Sequence, residues 1–383
     1  MAERWRVLAL LFLVRTAMAF QFGSVGALGP LVGHTFHVDA AGVGLLIGLY
    51  VSPGLVIALP GGAIGKFLGD KRAVLAGLAL MTLGGAISTF GVTWEAQIAG
   101  RVLAGTGGVV LNVLMSKMVT DWFAGREIAT AMGIFVNSLP VGIAVALVAQ
   151  PLVAAAGGVS AAFGLAAVLA ALGFAALLIL YRQPPGGASM GGGFPRGAAL
   201  AAGLIAASIW GFYNAGLAMI FGFGPILLTG RGWELAAASS ATSLAILVAA
   251  ASIPVGGYIV DRTGRVGTTI AIGMGLSAVA LVALPRFDSA VTVLILFGIV
   301  AGLPVGAIMS LPARVLAPET RALGMGLFFT LFYGFAVAAP LIAGALLDST
   351  GWDGAAMDFG AAMMLAGIGM LAVFGRVARR ATA

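Results

Sequence analysis

The sequence predicts an all-α polytopic membrane protein, with twelve transmembrane helices arranged as two six-helix bundles related by pseudo-two-fold symmetry. Three observations lead there. The 383 residues are 61% hydrophobic and only 9% charged, whereas a soluble domain carries about 25% charged residues. Apolar stretches of about 20 residues, the length that crosses a hydrocarbon core about 30 Å thick, recur along the whole chain. Finally, the basic residues between those stretches alternate in density, a pattern that a missed or extra crossing would scramble.

Charges, prolines and turn residues divide the chain into its spans. The first, 7–32, follows Arg4 and Arg6 and ends before His34 and His37; the second, 41–65, runs from Asp39 to Lys66. Lys71 and Arg72 open 73–93, and Glu95 opens 95–118, which ends at Lys117. Arg126 precedes 127–154, and the turn residues at 155–158 separate it from 159–181. Gln183 to Gly197 (QPPGGASMGGGFPRG) has no apolar core and reads as a cytoplasmic linker within 182–197, between halves 1–181 and 198–383. In the second half 198–229 lies between Arg196 and Arg231, and 234–260 ends at Asp261. Arg265 and Arg286 bracket 266–285, and Arg314 closes 289–313. Arg321 opens 321–347, and 355–376 ends at Arg376.

Sixteen lysines and arginines fall on the side of the two termini and two, Arg231 and Arg286, on the other. Basic residues stay inside, so both termini are expected in the cytoplasm, with the chain in the cell (inner or plasma) membrane. The net charge of +7 is spread singly between spans, which excludes a nucleic-acid patch. The 59 glycines lie within apolar runs and suit close helix packing; the absence of cysteine excludes disulfides and thiolate metal sites. Arg4, Arg6, the apolar run 7–14 and Ala17-Met18-Ala19 have the outline of a signal peptide. Arg15 interrupts it and apolar sequence continues to Val32, so the segment is expected to stay as the first span.

The halves echo each other. Asp70 in Lys66–Arg72 and Asp261 in Gly257–Arg265 are 191 residues apart, and the pairs Met132-Gly133 and Met325-Gly326 are 193 apart. Parallel repeats of matching period place a binding site between the halves.

These residues resemble the major facilitator superfamily of secondary transporters. Gly257–Arg265 is similar to its loop signature G-x-x-x-D-R-x-G-R, and Arg101-Val-Leu-Ala-Gly105-Thr-Gly107 to its fourth-helix motif R-x-x-x-G-x-G. The first-half copy departs: Lys66 stands for the first glycine, and Ala73 and Val74 for the final Gly-Arg. Ser138-Leu-Pro140-Val-Gly142 matches the antiporter motif at too few positions to argue exchange. Trp210–Gly216 with Pro225, and Gly298 through Arg321, are similar to the cyanate and nitroimidazole branch. The resemblance implies alternating access. It also implies a gating role for Asp70, Lys71 and Arg72 and for Asp261, Arg262 and Arg265, clusters that in the superfamily hold the halves together on the inside.

Arg15 and Arg101 sit within apolar spans, while all thirteen acidic residues lie at or near span ends. A cation at that depth faces a cavity or a partner. Arg15 lies about eight residues, or roughly 12 Å, into the first span, near the midplane where transporters place their sites. Its guanidinium suits planar oxyanions or carboxylates. Arg101, Gly105, Gly108 and Asn112 fall within an arc of about 60° at 100° per residue, so the glycines are expected to leave space beside the guanidinium. Arg101 reads as a substrate contact or as an interhelix strut. Trp210, Tyr213 and Asn214 on the seventh span and Tyr333 on the eleventh offer aromatic faces and an amide for orienting a solute, and Asn137 on the fifth joins them. Gln21 and Tyr50 are weaker candidates, and Gln21 lies about 120° around the helix from Arg15.

The expected function is secondary or facilitative transport of a small anion or polar organic solute, by a monomer in the lipid bilayer without cofactor. Proton-coupled drug efflux is the alternative, and it calls for a buried carboxylate that the spans lack. A fold-retaining receptor is a third reading. Enzyme chemistry has no nucleophile–base set, no metal cluster and no P-loop to rest on.

Overall fold

The computed structural model describes residues 2–58, 68–123, 128–182, 194–317 and 320–381. Among them there are helices, turns and bends and no strand. The first half contains α1 (Ala2–Ala27), α2 (Gly29–Phe36), α3 (Ala40–Val51), α4 (Gly54–Ile57), α5 (Asp70–Phe90), α6 (Trp94–Trp122), α7 (Ile128–Val136) and α8 (Ser138–Leu180). The second contains α9 (Gly197–Gly230), α10 (Leu235–Thr263), α11 (Val266–Ala283), α12 (Ala290–Ala301), α13 (Leu303–Val315), α14 (Arg321–Thr350) and α15 (Ala355–Ala381).

Eleven of the described helical segments are long and apolar enough to cross a membrane. One of them is two crossings in a row. The 43-residue α8 leaves helical geometry at Gly157 (φ −141°, ψ 15°) and Gly158 (φ 74°, ψ −179°). Such a φ is open to glycine and strained for other residues. The break divides α8 into 138–156 and 159–180, each near the length of one span. Among the described residues the crossings therefore number twelve, in keeping with the charge alternation.

Proline interrupts spans that read as continuous in the sequence. The first breaks at Leu28, where Pro30 enters α2, and the tenth at Gly302, where Pro304 enters α13. A proline has no N–H for the carbonyl four residues back, and its ring crowds that carbonyl. At Pro53 the carbonyl so released is that of Leu49, which accepts from the Ser52 hydroxyl (3.0 Å). The second span is helical through Val51 and again over Gly54–Ile57. Its predicted end at 59–65 and Lys66 lie outside the described residues, as do Arg126 and most of the linker, 183–193.

Within the first half, α1 lies along α8, and α5 packs on α6 and α8; within the second, α9 packs on α14 and α15, and α10 on α12. The halves meet where α3 lies along α14, α8 along α10 and α1 against α9. The α3–α14 contact is close because small residues face each other: a Cβ on Gly44 would run into the Pro340 carbonyl, and one on Gly344 into that of Ala40. At its end Asp348, 308 residues from Ala40, accepts from the backbone N–H groups of Ala40 (3.0 Å) and Ala41 (2.7 Å). These are unpaired donors at the start of α3, where the helix dipole favours negative charge. Ser239 and Ser243 of α10 donate to the carbonyls of Ala27 (3.3 Å) and Ala144 (2.9 Å). The polar contacts of Asp348 and Ser239 lie toward the face opposite the chain termini.

Candidate functional site

Groups from three helical segments, α6, α7 and α8, converge on Arg15 of α1. It is 7% exposed, and its Nη2 donates to Asn112 Oδ1 of α6 (2.8 Å). Nη1 donates to the carbonyl of Phe135 (3.0 Å) and approaches the Val136 carbonyl and the Ser138 hydroxyl, both at 3.4 Å. The guanidinium also lies 4.6 Å from the centre of the Phe135 ring, a favourable cation–π position. Sequence explains this receptor: Pro140 has no N–H to offer the Val136 carbonyl four residues back, and the helix breaks between α7 and α8. The sequence reads 127–154 as one continuous span, so neither the break nor its pairing with Arg15 was legible, and 121 residues separate Arg15 from Val136.

Asn112 carries the network across the interface, its Nδ2 donating to the Tyr333 hydroxyl on α14 (3.1 Å). Tyr333 is 3% exposed. Its ring lies 5.1 Å from that of Phe332, which lies 6.2 Å from Trp210 on α9. Trp210 stacks on Tyr213 at 5.5 Å and 22°. Of the residues singled out in the sequence, Arg15, Asn112, Tyr333, Trp210 and Tyr213 thus form one continuous chain of contacts, and Asn137 sits in the break that receives Arg15. Phe332 and Ser138 belong to it and went unrecognised, since neither residue type stands out in an apolar helix.

Tyr213 is tied down within its own half, donating to the Ala301 carbonyl (2.7 Å). That carbonyl is available because Val305 N–H bonds to Gly302 instead. Asn214 spends its amide N–H on the Trp210 carbonyl one turn back (2.8 Å).

Arg101 lies elsewhere, inside the first half. Nε donates to Leu46 O (3.1 Å), Nη1 to Gln21 O (2.8 Å) and Nη2 to Phe22 O (3.1 Å), tying α6 to α1 and α3. Its guanidinium lies 4.7 Å from the Tyr50 ring centre. The space that Gly105 and Gly108 were expected to leave open is filled: a Cβ on Gly105 would meet the Tyr50 backbone, and one on Gly108 the Tyr50 ring. The nearby cavity, bordered by Gln21, Ser24, Ser88 and Arg101, is about 10 Å³, room for about one water and far below the ~300 Å³ of a ligand pocket.

The charge clusters on the terminal face differ from one another. Asp70 opens α5 and pairs with Lys117 (2.6 Å), which also pairs with Asp121 (2.8 Å). Lys71 donates to the carbonyls of Leu178 (2.9 Å) and Tyr181 (2.8 Å), and Arg72 is exposed. Asp261, by contrast, lies at the end of α10, where Gly264 caps the helix at φ 65°. Arg262 lies 5.3 Å from the Tyr258 ring centre, and Asp261, Arg262 and Arg265 are exposed. The shared motif therefore sits in two different local structures.

The sequence pattern of the Major Facilitator Superfamily matches residues 11–212 and 199–383. No curated protein sequence matches the chain. Among solved structures, a bacterial homologue of the human lysosomal transporter Spinster, inward-facing and unoccupied, is similar with a TM-score of 0.72 at 17% identity, over 100% of this chain and 97% of that one. The inward-facing, occupied form gives 0.74 at 16% identity over the same shares. A mutant of the nucleoside transporter NupG gives 0.72 at 17% identity, over 98% of this chain and 100% of that one. At such identities the structures speak for the fold, and the pattern match along the chain speaks for the family. The chain belongs to the Major Facilitator Superfamily: it is a multi-pass membrane transporter and not an enzyme.

Proposed function

We propose that the chain is a secondary or facilitative transporter, moving a small anion or polar organic solute by alternating access between two bundles. One observation carries this reading. Arg15 is a buried cation one residue removed from a side-chain bridge between the halves, Asn112–Tyr333, and no Asp or Glu is buried among the described residues. A passing anion supplies the missing counter-charge. Arg15, Asn112, Asn137, Trp210, Tyr213, Asn214 and Tyr333 are the binding set, and Arg101 is a brace of the first half.

The sixteen-to-two distribution of basic residues supports a cytoplasmic terminal face and a cell-membrane location. The latch of Asp348 on α3 then closes the outer side, a shape in keeping with the two inward-facing neighbours. The Asp70 and Asp261 clusters engage when the bundles rock the other way. Without a buried carboxylate to carry a proton, movement is facilitated, by exchange, or coupled through a proton borne by the substrate. Proton-coupled drug efflux lacks the acidic residue it requires among the described residues.

Arg15→Ala is expected to abolish saturable uptake in proteoliposomes while the protein keeps its elution profile and helicity. Unchanged uptake kinetics would remove Arg15 from the site. A thermal-shift screen of the wild type against small oxyanions, carboxylates, cyanate and nitroimidazoles supplies the solute, since a specific ligand stabilises by mass action.

A further inference from the structure

We infer that the solute is a planar, ring-bearing monoanion, with an aromatic or heteroaromatic carboxylate as its type; this rests on the anion reading above and narrows it. Three buried polar atoms around the Arg15–Tyr333 chain of contacts have no hydrogen-bond partner among the described residues: Arg15 Nε, Asn137 Oδ1 and Trp210 Nε1. Buried polar groups are nearly always paired, and each unpaired one asks for an explanation. Two of the three are donors, one in each half.

The two sides of the interface offer different chemistry. The first half supplies charge and amides: Arg15, Asn112 and Asn137. The second supplies aromatic surface: Trp210, Phe332 and Tyr333, with Phe329 6.4 Å from Phe332. A small compact oxyanion satisfies Arg15 and leaves the indole N–H and the aromatic faces unused. An aliphatic carboxylate offers no ring for the offset or edge-on contacts that aromatic pairs prefer. A flat ring with one carboxylate offers something to each half: the carboxylate accepts from Arg15 Nε, and the ring faces suit the aromatic side chains and the indole N–H of Trp210. The ion is a monoanion because one guanidinium answers one negative charge, and a second charge would be desolvated without a partner.

The test uses the full-length chain, purified and reconstituted, with three probes of similar size: benzoate, cyclohexanecarboxylate and benzamide. Binding is read by thermal shift and by quenching of tryptophan fluorescence, the Trp210 share being the difference between wild type and Trp210→Phe. Benzoate is expected to bind at least tenfold more tightly than either other probe and to quench Trp210. Trp210→Leu is expected to bring benzoate down to the level of cyclohexanecarboxylate. Equal binding of the two carboxylates, both above benzamide, overturns the ring preference and leaves the anion reading standing. Benzamide binding as well as benzoate overturns both, and failure of benzoate to bind overturns the inference. A folded Trp210→Leu protein that still prefers benzoate likewise overturns it.

Discussion

Replacing Asn112 by aspartate exchanges an amide for a carboxylate and adds one negative charge beside the buried cation. Asn112 Oδ1 already lies 2.8 Å from Arg15 Nη2, so the variant carboxylate needs no rearrangement to form an ion pair. With charge centres about 4 Å apart and an effective dielectric of about 20, the attraction is roughly 4 kcal/mol. A solute anion entering the same space loses an attraction of that order, because Arg15 is neutralised, and meets a like charge as well. Since 1.4 kcal/mol is a factor of ten in affinity, binding of an anion is expected to fall at least about a hundredfold. The measurement is the ligand-dependent thermal shift, with uptake in proteoliposomes beside it. Asn112→Ser is the control that breaks the same hydrogen bonds without adding charge, and it is expected to weaken binding far less. The reasoning is refuted if Asn112→Asp retains anion binding within about threefold of wild type, or if Asn112→Ser loses as much.

Asp348→Asn removes the charge and one of two acceptors at the start of α3; an exposed charge at a helix N-terminus contributes about 0.3–1 kcal/mol. The conformer open at that face should gain up to about fivefold in population. The native chain has no cysteine, so a single cysteine at Val43 reports it through the rate of labelling by an impermeant maleimide; an unchanged rate would show that the latch carries no free energy. Arg101→Leu breaks three hydrogen bonds to the carbonyls of Leu46, Gln21 and Phe22, each worth about 1.5–3 kcal/mol where one partner is charged, partly offset by the relieved burial of charge. The melting temperature should drop by several degrees with little change in solute affinity, and a selective loss of affinity would move Arg101 into the site.

Much of the fold was legible because membrane burial is written locally. Each span needs about 20 apolar residues whatever its neighbours do, and charges mark the ends. The count of twelve followed from that, and so did the break at 155–158. The kinks at Pro30, Pro53 and Pro304 were less legible, since hydropathy continues through them while the hydrogen bonding does not.

For the site, residue type and depth sufficed to single out Arg15 and Arg101 as exceptional, because a buried cation is costly wherever its partners are. Their different surroundings were not in the sequence. Both are arginines in apolar helices, yet Arg101 meets three carbonyls within its own half, whereas Arg15 meets a helix break and an amide that reaches Tyr333, 221 residues from Asn112. The latch of Asp348 was likewise invisible, since the N–H groups it binds belong to every residue and identify none. Local composition thus sets how many times the chain crosses and which charges lie at depth. Which lone pairs and N–H groups meet them depends on helices brought together from distant sequence, and a hydrogen bond forms or fails over less than an ångström that only packing controls.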